Sequence, residues 1–109
     1  MARDEALEAL MEDALQGTAG VTSKVMFGGK CWLLHGNLVC GARKDSLLFR
    51  LGRENDGWAL ALPGIGSMQS GARTMHGWVR ATPEAYASDA LRERLLRESL
   101  RYAASLPRK

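Results

Sequence analysis

Proline, cysteine and aromatic residues are all scarce in this chain. Three prolines and two cysteines in 109 residues leave no room for a disulfide scaffold or a proline-rich linker. No apolar run approaches the roughly 20 residues that span a bilayer. Neither sign of charge dominates: 15 basic and 12 acidic side chains give a net charge of +3. That balance permits contact with nucleic acid without arguing for it, because phosphate binding needs clustered rather than net charge. Repeats and low-complexity segments are absent. The two cysteines, Cys31 and Cys40, and the two histidines, His35 and His76, do not fall at the paired spacings of a zinc site. Met1-Ala2-Arg3-Asp4-Glu5 runs into an acidic amphipathic segment and not an apolar one, so a cytoplasmic, membrane-free protein with reduced thiols is expected. No cofactor or metal is expected.

What the chain does have is an ordinary globular balance, with 46% hydrophobic residues. A domain of this length buries roughly two-thirds of the surface its unfolded chain exposes, enough for one core. Leu7, Leu10, Met11, Ala14 and Leu15 recur at helical spacing, with Asp4, Glu5, Glu8, Glu12 and Asp13 on the other face and Gly17 as a stop. Thr18 to Ser23 reads as a loop. Lys24 to Phe27, Cys31 to His35, Leu38 to Ala42 and Leu47 to Leu51 read as strands joined by short turns, an antiparallel meander. Arg53 to Leu62 reads as a short helix ended by Pro63-Gly64. Ser67 to Ser70 and Gly77 to Ala81 read as a second hairpin around Gly71-Ala72-Arg73. Thr82-Pro83-Glu84 has the chemistry of a helix start, with Thr82 as cap, and the last helix is expected to run to about Leu106. The sum is an α+β domain: an antiparallel sheet with N-terminal, short central and C-terminal helices packed on it.

Several residues have chemistry to weigh. Gly28-Gly29 lacks the further glycine, the Lys-Ser/Thr pair and the following helix of a phosphate loop, so a bulge or turn is expected. The β-hairpin turn is either His35-Gly36 or Gly36-Asn37; both place Cys31 and Cys40 on one sheet face. They read as small core hydrophobes among Leu33 and Leu38, not as a redox pair, since nothing nearby in sequence lowers a thiol pKa. His35 and His76 read as surface turn histidines without a catalytic partner. Trp58 and Trp78 are expected to anchor the smaller part of the core. Cys31, Leu33, Leu38 and Cys40 on one face, and Trp32, Leu34 and Val39 on the other, leave both faces apolar, which a sheet with one wet face does not show. A covering element or a partner, a second copy of the chain included, is implied. On the last helix Arg94, Arg97, Arg101 and Arg108 fall within one arc at about 100° per residue. Leu91, Leu95, Tyr102 and Leu106 fall elsewhere, and Glu93–Arg97 and Arg94–Glu98 are ordinary (i, i+4) pairs. The arginine stripe reads as a solvated face or as a contact for phosphate or an acidic partner.

Four motifs in register carry a family resemblance. Met26-Phe27-Gly28-Gly29 is similar to the MFGG signature of the N-terminal domain of the TfoX/Sxy competence regulators. Leu33-Leu34-His35-Gly36-Asn37-Leu38 matches its hairpin, and Leu48-Phe49-Arg50-Leu51-Gly52 its next strand. Met75-His76-Gly77-Trp78-Val79 resembles its M-x-G-W element, and Ser105-Leu106-Pro107 closes the match over roughly residues 5–107. The family motif residues are thus Met26, Phe27, Gly28, Gly29, Gly77 and Trp78. The resemblance implies an α+β fold. It also implies a role like that of full-length members, which are transcriptional co-regulators of natural competence associated with the cyclic-AMP receptor protein and carry a second, helical C-terminal domain. It supplies no catalytic residues. The expected function is a non-enzymatic regulatory or protein-interaction module. That module is expected to bind duplex DNA no more than weakly. The alternatives are a direct nucleic-acid binder using the arginine stripe, and a small-ligand or enzyme domain with a pocket between sheet and helices.

Overall fold

A computed structural model of the chain describes residues 4–26 and 29–109, apart from the side chains of Met26 and Ser70. Phe27 and Gly28 of the MFGG motif therefore lie outside the described residues. The elements run α1 (Glu5–Leu15), β1 (Val21–Met26), β2 (Gly29–Leu34), β3 (Asn37–Arg43), β4 (Ser46–Arg50), α2 (Gly57–Leu60), β5 (Ile65–Ser70), β6 (Arg73–Ala81), α3 (Pro83–Tyr86) and α4 (Asp89–Ala104). Among the described residues six strands form one sheet in the order β1-β2-β3-β4-β6-β5, every neighbouring pair antiparallel. The expected α+β architecture is the observed one.

Local differences from the sequence reading have plain causes. β1 begins at Val21, inside the expected loop, because Val21 pairs with Leu34 across the hairpin. The helix expected over residues 53–62 is a single turn, with Asp56 at its N-terminus. The last helix is two helices. Ser88 accepts from the Leu91 N–H at 3.2 Å and caps α4, so the chain restarts there. Thr82 holds the N-cap position of α3, as expected, but its side chain makes no capping bond. Its hydroxyl donates to the Gly64 carbonyl at 3.0 Å and ties the helix start to the strand before it.

The cysteines are the clearest correction. The turn is His35-Gly36, with φ of 51° and 86°, and it pairs Leu34 with Asn37 and Leu33 with Leu38. The register then slips, so that Trp32 pairs with Cys40 and Cys31 with Gly41. Val39 is the extra residue of a β-bulge, and the slip moves Cys40 to the opposite face from Cys31. The two free thiols sit on opposite sides of the sheet. Burial pushes the pKa of both thiols up, that of Cys40 far more.

One face of the sheet carries the core. Trp32, Leu34, Val39, Cys40, Ala42, Leu47, Phe49, Leu51, Val79 and Ala81 pack there beneath Leu7, Met11 and Leu15 of α1 and Leu95, Leu96 and Ala103 of α4. Each such large side chain contributes roughly 1.5–3 kcal/mol by leaving water. Val39 and Cys40 both join this core, as the bulge allows, and Trp58 packs against its edge. No helix among the described residues is long and apolar enough to cross a membrane.

α1 is locked to the sheet by a polar contact at the edge of this core. The buried Trp32 indole donates to Glu12 at 2.7 Å, and the Lys30 ammonium donates to the same carboxylate at 2.9 Å. The indole bond and then the ammonium hold the Glu12 carboxyl below its usual value. A lowered pKa stabilises the fold above the ordinary glutamate value of 4.5 and loses that contribution as pH falls through the folded value. Glu12 is 45% exposed, so solvent screening limits the effect. Glu12→Gln is expected to lower stability at pH 7 by less than about 1 kcal/mol, with the difference shrinking at acid pH as the wild-type carboxyl protonates. Urea midpoints of both proteins against pH check this; a gap of the same size at both ends of the range contradicts it.

Candidate functional site: the uncovered face of the sheet

The face opposite the helices is the part of the fold left to work. By strand parity it carries Cys31 and Leu33 of β2, Leu38 and Gly41 of β3, Leu48 and Arg50 of β4, and Trp78 and Arg80 of β6. Trp78 therefore lies on the far side of the sheet from the core, contrary to its expected place as a core anchor. Leu48 is only 5% exposed although no helix covers it. The cover comes from the tip of the β5–β6 hairpin.

A second register slip brings it there. Ser67 pairs with Val79, but the next β5 residue, Met68, pairs with Met75. His76, Gly77 and Trp78 are thus extra residues on β6. Gly77 makes this bend possible. Its φ is +89°, and a Cβ there would meet backbone atoms of Arg53 at 2.8 Å and Gly52 at 2.9 Å. Its carbonyl accepts from the Leu51 N–H at 2.8 Å and the Gly52 N–H at 3.1 Å. Its own N–H donates to the Asp56 carboxylate at 3.1 Å. The same knot holds Gly52, φ +97°, against the Tyr102 ring of α4.

Beyond the bend, Met68 and Met75 close over an apolar chamber of about 150 Å³ whose walls include Leu38, Leu48, Gly41, Cys31 and Trp78. A wider cleft of about 390 Å³ adjoins it and is lined by Arg53, Arg73, Thr74, Met75, His76 and Trp78. A third hollow of about 170 Å³ lies between Arg50, Arg53, His76, Trp78 and Tyr102. Trp78 borders all three, and no Asp or Glu lines any of them. The Arg50 guanidinium lies 5.3 Å from the Tyr102 ring centre and 6.0 Å from that of Trp78. Among the described residues no group of His, Cys, Asp and Glu is arranged to hold a metal.

The sequence-predicted residues divide. Gly77 and Trp78 build this face. Gly29 contributes at a distance: it is buried, and a Cβ there would run into the Ala42 carbonyl of β3. The need is for close backbone approach, not for a turn or bulge conformation. Arg94, Arg97 and Arg101 are all exposed on α4. Arg94 stacks on Trp58, 3.9 Å from the ring centre, and does not pair with Glu98. Glu98 instead accepts from Arg101 at 3.4 Å and from Asn55 at 3.0 Å. Arg97 is exposed, and Arg108 lies past the end of α4, so it shares no helical arc with the others. His35 is a structural residue: its ring packs on Gly20, and its carbonyl accepts from the Lys109 N–H at 3.0 Å. His76 is exposed and lines the wide cleft, within the β6 bend and not in a turn. Sequence reading missed Arg53, Arg73 and Met68, and it noted Arg50 and Met75 only as motif positions. The β6 slip gathers them, and no local pattern signals that slip.

The family model described as the TfoX N-terminal domain matches residues 13–103. The chain belongs to the TfoX N-terminal domain family. No match was found among curated proteins or among solved structures. In this TfoX N-terminal domain the M-x-G-W element has a physical explanation. Gly77 is the residue whose carbonyl and N–H pin β6 to the end of β4, and Trp78 is the ring around which the uncovered face is built.

Gly77→Ala places a side chain at positive φ against backbone that cannot retreat. It is expected to cost about 2–4 kcal/mol. Gly57→Ala, where a Cβ meets open space, is expected to be neutral or slightly stabilising. Thermal or urea unfolding of both variants checks the contrast; equal effects contradict it.

Proposed function

We propose that this TfoX N-terminal domain is a non-enzymatic, cytoplasmic regulatory module that works by binding protein, a second copy of itself included. The carrying observation is the asymmetry of the sheet. One face is sealed by α1 and α4. The other presents half-buried Leu33 and Leu38 beside the arginine-flanked clefts around Trp78. A partly wet apolar strip on a single sheet favours a covering protein. Family membership supports a regulatory setting.

The duplex-binding alternative draws less support. Tight nonspecific binding to DNA enlists many phosphate contacts. Of the four arginines expected to supply them, Arg94 is stacked on Trp58, Arg101 pairs with Glu98 and Arg108 is off the helix.

Two measurements on the whole chain test this reading. Sedimentation equilibrium is expected to show reversible self-association, weakened at least about ten-fold when Leu38→Lys places a charge in the contact. Fluorescence anisotropy with a labelled DNA duplex at physiological salt is expected to show no submicromolar binding. Submicromolar binding abolished by Arg94→Glu, Arg97→Glu and Arg101→Glu together would reject the protein-binding reading. A strict monomer at high concentration would remove self-association.

A further inference from the structure

We propose that the uncovered face also holds a small-molecule site, built for an aromatic anion: a carboxylate or phosphate monoester on a single ring. The site lies at the Trp78 end of the same face and shares Leu38 with the proposed protein contact.

The body of the ligand is set by the apolar chamber. Its volume of about 150 Å³ is that of a cavity that takes up one benzene ring, roughly 150 Å³. Its walls are suited to a flat ring. Trp78 offers an aromatic surface, Leu48 an aliphatic one, and Met68 and Met75 supply flexible thioethers that adapt to ring edges.

The charge of the ligand is set by the mouth. The chamber and the wide cleft share Met75 and Trp78, so a ring seated in the first projects its substituent into the second. Arg53, Arg73, Thr74 and His76 line it, with no carboxylate in the lining; the Thr74 hydroxyl donates to Gln69 at 3.2 Å, which leaves the cationic groups to meet the anion. Two guanidinium groups lining one cleft suit the planar or tetrahedral oxygens of carboxylate and phosphate. Asp56, the acidic group that holds this bend, is committed to the Gly77 N–H.

The chamber wall also carries a buried polar group. Arg43 lines it, and its Nε is buried with no hydrogen-bond partner. A buried donor left unpaired is costly, and native folds rarely leave one without a use. An acceptor atom on the far edge of the ring would satisfy it. The ligand class is therefore an aromatic anion, favoured further by a second acceptor across the ring from the charged group.

Cys31 makes the site measurable. Its half-buried thiol lines the chamber, whereas the Cys40 thiol is sealed in the core on the other face. The test is calorimetric titration of the whole chain with phenyl phosphate and with benzoate, paired with the rate of maleimide labelling at Cys31. At least one probe is expected to bind at about millimolar concentration or tighter and to slow labelling of Cys31. Inorganic phosphate and benzyl alcohol should each bind at least about ten-fold more weakly, the first lacking the ring and the second the charge. The exposed pair Arg53→Gln and Arg73→Gln should weaken the probe at least about ten-fold while leaving the unfolding midpoint in place. Leu48→Phe, which fills the chamber, should abolish Cys31 protection. Failure of both aromatic anions to bind overturns the proposal. So does benzyl alcohol or inorganic phosphate binding as well as the aromatic anion. Binding that is indifferent to the arginine pair places the anion elsewhere and also overturns it. A chain that self-associates yet ignores both aromatic anions loses this site and keeps the interaction reading.

Discussion

A single backbone knot at Gly77 governs the sheet face that the helices leave uncovered. Three short polar contacts meet there: two N–H groups from the end of β4 on its carbonyl, and the Asp56 carboxylate on its N–H. Only a residue without Cβ fits, both because φ is positive and because the Arg53 backbone stands within 2.8 Å of where the Cβ would be. The bend it allows inserts His76 to Trp78 into β6 with nothing opposite on β5, and the hairpin tip then falls across the open face. Without that bend Met68 and Met75 have no chamber to close, and Leu48 has no cover.

The sheet sorts its residues by a second irregularity of the same kind. The bulge at Val39 sends Cys40 into the core with Trp32 and leaves Cys31 on the other side. The apparent conflict of two apolar faces is resolved by different means on each. Two helices seal one face. The other is sealed only locally, by a β-hairpin, and it leaves Leu33 and Leu38 half-buried. That face combines an apolar floor, a cover of two methionines and an arginine-lined cleft without carboxylate. The helix face has spent its surface on stability.

How much of this was legible in the sequence follows from the range of the signals. The meander, a tight turn within His35-Gly36-Asn37 and the terminal helices are written in periodicities and turn residues a few positions apart, and these survive in the fold; which two of the three form the turn was left open. The register slips are not local. Val39 and Cys40 are both apolar, so either one can point inward, and parity counted from the turn gives the wrong face for Cys40. Met75-His76-Gly77-Trp78 was recognisable as a motif, yet its slip against Ser67-Met68 depends on the approach of Gly52 and Arg53, which a linear pattern does not encode. The break between α3 and α4 had a local sign in Ser88-Asp89, a second cap signal that the stronger Thr82-Pro83-Glu84 start concealed. The arginine arc on α4 was legible as spacing, but the stacking of Arg94 on Trp58 and the pairing of Arg101 with Glu98 were set by packing.

The central claim is that the Gly77 bend folds the β5–β6 tip over the uncovered face and so creates the chamber. The most direct measurement is solution NMR of protein labelled at methionine methyls. The account predicts nuclear Overhauser cross-peaks that link the Met68 and Met75 methyls to the Leu48 methyls and the Trp78 indole in the free protein. Those cross-peaks should be lost in Gly77→Ala while the contacts of Met11 within the core persist. A hairpin tip whose methionines show no contact with Leu48 or Trp78 would contradict it.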